Sequence, residues 1–198
     1  EWEIFAAGVR NSLGFDWHPK TNEFWFTENG RDFQDHSIPP DELNVAPKAG
    51  LHFGFPWCYG ANLDDVDVQK NHSVFKDCSK YEPPKIDLQP HAAALGMKFY
   101  RGNMFPKEYQ QAIFIAEHGS WGRPPPLSGY RVSLVKLSPS WNAVSYEEFM
   151  GGMVQRNSNF LIAEQGCGRP VDLVEMPDGS LLVSDDHNSR IYHVTYKQ

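Results

Sequence analysis

Two stretches of this chain open on an arginine and close on an acid, with two short apolar runs between. One is "GVRNSLGFDWHPKTNEFWFTENGRD", residues 8–32, and the other is "GCGRPVDLVEMPDGSLLVSDDHN", residues 166–188. Each sets a glycine just ahead of the arginine (Gly8 and Arg10, Gly168 and Arg169) and ends on a hydroxyl residue plus an acid, Thr27-Glu28-Asn29 and Ser184-Asp185-Asp186. Arginine suits the gripping of a carboxylate, because its planar fork donates at two points and does not lose its proton. The acids read two ways, as metal ligands or as hydrogen-bond locks inside a repeated unit, and their recurrence at equivalent places favours the lock. Other polar residues with chemical potential are the adjacent pair Asp41 and Glu42, His118 with Trp121 in "AEHGSWGR", and His91, which reads as a structural histidine. No zinc pattern, phosphate loop or nucleophile elbow is present; Cys58 and Cys78 have no second cysteine pair beside them.

The elements that must carry these residues are strands. Candidates are Leu13–Trp17, Glu23–Thr27, Gly96–Tyr100, Ala112–Ala116, Tyr130–Leu137, Val171–Glu175, Ser180–Ser184 and Ile191–Tyr196, each short, rich in β-branched or aromatic residues, and bounded by turn residues. Asp178-Gly179 between apolar runs signals a tight hairpin. Helical periodicity is weak, and Pro106–Gln111 offers one turn at most. A third copy of the pattern lies at 95–119, "LGMKFYRGNMFPKEYQQAIFIAEHG", ending on Glu117. Long repeated units of a few short strands indicate propeller blades rather than a sandwich. Propellers close with about four to eight blades, so three copies correspond to part of a ring, with the remainder expected upstream of Glu1. In a propeller, equivalent positions converge on the axis, so Arg10 and Arg169 could face one ligand from different blades, the alternative being an arginine that bridges neighbouring blades.

The motifs "GVRNSLGFDWHP", "ENGRD", "PPDELN", "FGFPWCYG", "PHAAALGMKFYRGNMFP", "AEHGSWGR" and "GRPVDLVEMPDGSLLVSDD" together resemble the sorbosone dehydrogenase and soluble glucose dehydrogenase family, including its fungal pyranose dehydrogenase branch. The resemblance runs over nearly the whole chain and implies an all-β fold: about three blades of a six-bladed β-propeller, with residues 1–198 as the C-terminal half of one domain. It implies pyrroloquinoline quinone and Ca2+ as cofactors and sugar oxidation as the activity. By that resemblance Arg10, Asn11 and Arg169 contact the three-carboxylate quinone, His118 lies beside it, and Trp121 stacks on it. The "ENGRD" loop then supplies calcium through Asn29 and the backbone carbonyls of Gly30 and Arg31, although Arg31 stands where some relatives carry proline. Asp41 and Glu42 correspond to a structural calcium site, the alternative being a solvated acidic turn. The family's catalytic histidine belongs to the N-terminal half, so no catalytic base is assigned here. Two other readings remain: a non-catalytic propeller that kept the fold, and a calcium-dependent propeller lactonase.

A net charge of −7 over 198 residues argues against nucleic acid or an anionic membrane as partner. No apolar run reaches the roughly eighteen residues a membrane span needs. Cys58 and Cys78 suit a disulfide in an oxidising compartment, secreted or periplasmic, with Cys167 left over; Asn71-His72-Ser73 matches a glycosylation acceptor. The abrupt start at Glu1 reads as a processed or truncated boundary. A half-ring exposes strand edges and an apolar face, so the expected partners are an N-terminal half or companion chain, a sugar, and an electron acceptor such as a cytochrome.

Overall fold

The computed structural model describes residues 1–32, 37–120, 126–151, 156–157, 160–161 and 168–197. Three antiparallel meanders follow one another along the chain. The first joins Phe15–Trp17, Phe24–Glu28, Glu42–Ala46 and Ile86–Asp87; the second joins Ala94–Phe99, Ile113–Glu117, Arg131–Leu137 and Ala143–Met150; the third joins Pro170–Glu175, Leu181–Asp185 and Arg190–Val194. Among the described residues, helix is confined to Val66–Asn71 and two single 3-10 turns, one of them Lys107–Tyr109, within the one turn that Pro106–Gln111 offers. The all-β expectation therefore holds, with strand edges shifted by one or two residues.

Burial follows the pleat. In "IFIAE" (Ile113–Glu117) successive side chains point to opposite faces, and both faces are covered. Ile113 and Ile115 pack with Trp25, Leu43 and Phe99 toward the first sheet, while Phe114 and Ala116 pack with Leu173, Leu181 and Val183 toward the third. This explains why the middle copy reads as a continuous apolar run rather than an alternating one.

The leading strands of successive sheets approach closely, and small residues permit it. A Cβ on Gly14 would overlap the Leu95 carbonyl, and one on Gly96 would overlap Asp172 of the third sheet. Gly14, Gly96 and Asp172 occupy equivalent places in the three copies. Polar ties cross the same seams: the Thr27 hydroxyl donates to the Leu95 carbonyl at 2.6 Å, and Asp16 accepts the Phe99 N–H at 3.0 Å and Arg101 at 2.8 Å. Burial pushes the Asp16 carboxyl up, yet Arg101 and the Trp17 and Phe99 N–H groups outweigh it and hold the group below its ordinary value.

Cys58 and Cys78 form a disulfide with their Cα atoms 5.7 Å apart, closing the loop that contains the helix; Asn71 sits exposed at the helix end. Cys167 and Trp121 lie outside the described residues. Replacing Asp16 by Asn should cost about 2 kcal/mol, the scale of a lost charge-assisted hydrogen-bond set. Urea unfolding of the full-length protein measures this, and a loss below about 0.5 kcal/mol, the range of an ordinary surface change, would remove Asp16 as the tie between sheets.

Candidate functional site

The closing acid of each outer copy hooks the backbone of its own opening arginine. Glu28 ends the second strand of the first sheet, and its Oε1 accepts the Arg10 N–H at 2.6 Å. Asp185 ends the second strand of the third sheet, and its Oδ1 accepts the Arg169 N–H at 3.0 Å. The middle copy differs. Glu117 receives Arg131 Nε at 2.7 Å and the Tyr146 hydroxyl, while Asp41 of the first sheet's loop reaches across to the Ala94 N–H at 3.3 Å. The locks expected of Glu28, Glu117 and Asp185 are thus present, and in two of the three copies the locked group is the arginine itself.

Around Arg10 the chain builds a cleft lined by Arg10, Glu28, Asn29, Gly30, Arg31 and Glu42, with Phe53, Phe55 and Tyr59. The Arg10 guanidinium donates to the carbonyls of Asn29 at 3.2 Å and Gly30 at 3.0 Å and meets Asp32 at 3.4 Å. Among the described residues its contacts lie within its own copy and do not bridge to a neighbouring sheet. Gly30 is needed where it stands, since a Cβ there would press on the Pro40 carbonyl. Its N–H donates to Asp41 Oδ1 at 2.9 Å. Arg31 pairs with Asp65, which lines the same cleft, at 2.5 Å and 2.8 Å, and Asp65 also caps the helix. Asn11 is exposed, and its carbonyl accepts the Asn29 N–H at 3.1 Å.

Asp41 and Glu42 are buried, not a solvated turn. Asp41 spends its oxygens on Gly30 and Ala94. Glu42 spends its oxygens on the Gly60 N–H at 2.6 Å and the Asn44 amide at 2.9 Å. Among the described residues, the one trio of His, Cys, Asp or Glu with converging ligand atoms is Cys58, Asp64 and Cys78, whose sulfurs are bonded to each other. Glu28 differs from its neighbours: its Oε2 is buried and unpartnered, as is Asn29 Oδ1. Burial, with Glu42 and Asp41 adding like charge, pushes the Glu28 carboxyl up to about 8. Burial also raises Asp41 and Glu42 to about 7 each. Buried acids short of positive charge, with two free oxygens on one cleft, fit a hard oxygen-loving cation.

The second candidate group lies between the second and third sheets. The Arg169 guanidinium contacts His118 Nδ1 at 3.3 Å, donates to the Tyr130 hydroxyl at 2.8 Å, and lies over the Tyr130 ring at 4.9 Å. His118 Nε2 meets Asp186 at 2.9 Å. The structure thus joins two residues singled out from the sequence, His118 and Arg169, and adds Tyr130 and Asp186, which the sequence reading had not put there. Arg169 does span two sheets. His91, read as structural, has its Nε2 3.2 Å from the Ile38 carbonyl.

With that geometry in place, the known proteins this chain matches can be set beside it. The family model described as TrAA12-like matches residues 1–197. The chain belongs to the TrAA12-like family. It is 42% identical over 200 residues to an uncharacterized protein of Borreliella burgdorferi, covering 99% of this chain and 49% of that one. It is 35% identical over 230 residues to the pyrroloquinoline quinone-dependent pyranose dehydrogenase of Coprinopsis cinerea, covering 96% of this chain and 31% of that one. The chain therefore spans half or less of the curated relatives it matches. Among solved structures, the calcium structure of the Trichoderma reesei family AA12 enzyme matches at TM-score 0.76 and 20% identity, over 97% of this chain and 53% of that one. The holo pyranose dehydrogenase PQQ domain from Coprinopsis cinerea matches at 0.72 and 24%, over 96% and 55%. The soluble aldose sugar dehydrogenase of Escherichia coli matches at 0.62 and 22%, over 98% and 46%. At these identities the structures speak for a shared fold, and the fold is that of about half a propeller dehydrogenase.

The raised acids carry a pH signature. A carboxyl whose folded pKa exceeds its unfolded value binds protons in the folded state, so its contribution falls as pH rises from the unfolded pKa to the folded one. For Glu28 that window runs from 4.5 to about 8, and for Glu42 from 4.5 to about 7. In chelator, the full-length protein should lose thermal stability across this window, and Glu28→Gln should flatten the loss. A melting temperature that stays level or climbs through the window in the unsubstituted protein would contradict the buried-acid geometry.

Proposed function

We propose that this chain is the C-terminal half of a six-bladed quinoprotein dehydrogenase that oxidises a sugar, with pyrroloquinoline quinone and Ca2+ as cofactors. The observation that carries the reading is the pair of arginines, Arg10 and Arg169, each fixed through its own amide by the closing acid of its copy. A scaffold alone has no need to hold two cations at equivalent places of two repeats, whereas a ligand with several carboxylates does.

In this reading the guanidinium groups of Arg10 and Arg169 would grip carboxylates of the quinone, with Asn11 and His118 beside them; Trp121, expected from the sequence to stack on it, lies outside the described residues. Asn29 and the carbonyls of Gly30 and Arg31 would hold the cation, and the unpartnered Glu28 Oε2 would supply negative charge to it in the same cleft. A carbonyl has two lone pairs, so Gly30 can serve Arg10 and a cation together. Asp41, through its bond to the Gly30 N–H, aims that carbonyl. When bound, the quinone would accept hydride from the sugar carbon, and calcium would polarise the oxygen that gains charge. The proton acceptor for the sugar hydroxyl belongs to the other half of the ring.

A companion N-terminal half is supported by the aromatic face of the first sheet, where Phe15 is 55% and Trp17 53% exposed with Phe5 and Phe24 beside them. The disulfide supports a secreted or periplasmic setting. Among the described residues no helix is long and apolar enough to cross a membrane. Electrons would leave to a carrier such as a cytochrome. One observation favours a second reading, a non-catalytic propeller: Arg10 already satisfies its guanidinium on Asn29, Gly30 and Asp32.

Dye reduction by the full-length protein with an aldose, pyrroloquinoline quinone and calcium chloride separates the readings. Turnover that disappears on chelation is expected. Arg10→Ala should weaken quinone binding by about 2 kcal/mol, the loss of a charged hydrogen bond. No turnover with any of a panel of aldoses, together with unchanged quinone affinity in Arg10→Ala, would leave the non-catalytic reading.

A further inference from the structure

The adjacent acids Asp185 and Asp186 both act on Arg169, by different routes. Asp185 holds its amide at 3.0 Å. Asp186 reaches it through His118: the carboxylate lies 2.9 Å from Nε2, and Nδ1 lies 3.3 Å from the guanidinium. A guanidinium has only donors, so the ring nitrogen facing it must present a lone pair. That places the ring hydrogen on Nε2, where Asp186 accepts it. One tautomer serves both partners, and Asp186 is what selects it.

The consequence falls on Arg169. His118 anchors one terminal nitrogen, the Tyr130 hydroxyl anchors the other at 2.8 Å, and the Tyr130 ring lies under the plane at 4.9 Å. Each terminal nitrogen keeps a second hydrogen, so the anchored group still has a donor on each terminal nitrogen to offer a carboxylate. The first copy uses the same pairing of acid and following residue. There Glu28 takes the Arg10 amide and the next residue, Asn29, accepts the Arg10 guanidinium on its carbonyl at 3.2 Å. In the third copy the residue after the acid does this work at one remove.

We propose that Asp186 is a positioning residue: by fixing the His118 tautomer it aligns Arg169 toward a carboxylate-bearing ligand. The ligand class rests on the proposed function; the tautomer does not. Asp186 is largely exposed, with 62% of its side chain accessible, so its removal should leave the fold intact while releasing the ring.

The test uses full-length protein labelled with 15N-histidine, with His118 assigned through its loss in His118→Gln. The unsubstituted protein should show an unprotonated Nδ1 and a protonated Nε2, and Asp186→Ala should shift the ring to a mixture of tautomers. Titration with pyrroloquinoline quinone in calcium chloride should give an affinity about tenfold weaker in Asp186→Ala, the scale of one displaced charged hydrogen bond, and Asp186→Glu should recover part of it. A protonated Nδ1 in the unsubstituted protein, or a ring unaltered by Asp186→Ala, would overturn the proposal. So would a ring that changes while quinone affinity does not. Should the unsubstituted protein bind no quinone, the proposed function fails on that result, and the ring spectrum alone still decides whether Asp186 governs His118.

Discussion

A carboxylate that accepts the amide hydrogen of an arginine sixteen or eighteen residues earlier is the constraint on which this chain's polar architecture turns. In the first copy Glu28 holds Arg10 this way, and in the third Asp185 holds Arg169. The bond does two things at once. It ties the segment leading into the first strand to the end of the second, and it fixes the Cα–Cβ direction of a long cationic side chain. A flexible arginine loses about 2 kcal/mol of rotamer entropy when a ligand orders it. An arginine with its backbone locked and its guanidinium anchored has already met part of that cost.

The buried acids give the same region its charge imbalance. Glu28, Asp41 and Glu42 sit where burial raises each of them, and Arg10 offsets only part of their charge. Asp41 and Glu42 accept N–H donors of Gly30 and Gly60, which ties the loops on two sides of the cleft. Glu28 Oε2 and Asn29 Oδ1 have no such donor. A protein that buries unpartnered oxygens beside like charges gives up stability unless something positive occupies the space. One cleft therefore holds both the Arg10 guanidinium and buried oxygens that lack a donor. The proposed cofactor, anionic and metal-bound, would satisfy both.

The strand pairs flanking each proline or Asp-Gly turn were legible in the sequence because turn chemistry and β-branched runs are local signals. Glu42–Ala46 and Ala143–Met150 were not, since "ELNVA" and "AVSYEEFM" carry polar residues that only their neighbours in the sheet make acceptable. The helix Val66–Asn71 was hidden because its support is an Asp65 cap shared with Arg31 rather than an apolar stripe. Arg10, Arg169 and the three closing acids stood out through repetition. Tyr130 and Asp186 did not, because their part depends on two sheets meeting, which no spacing along the chain encodes. That Glu28 and Asp185 each follow a hydroxyl residue and precede an asparagine or a second acid was the available signal, and its meaning needed the geometry.

In the proposed function the amide-locked arginines of two copies serve one ligand. A crystal structure of the full-length protein grown with pyrroloquinoline quinone and calcium chloride tests this most directly. Arg10 and Arg169 should donate to carboxylates of a single quinone, with a cation on the Gly30 side of the cleft. A quinone bound elsewhere, or none bound while Arg10 remains on the Asn29 and Gly30 carbonyls, would contradict it.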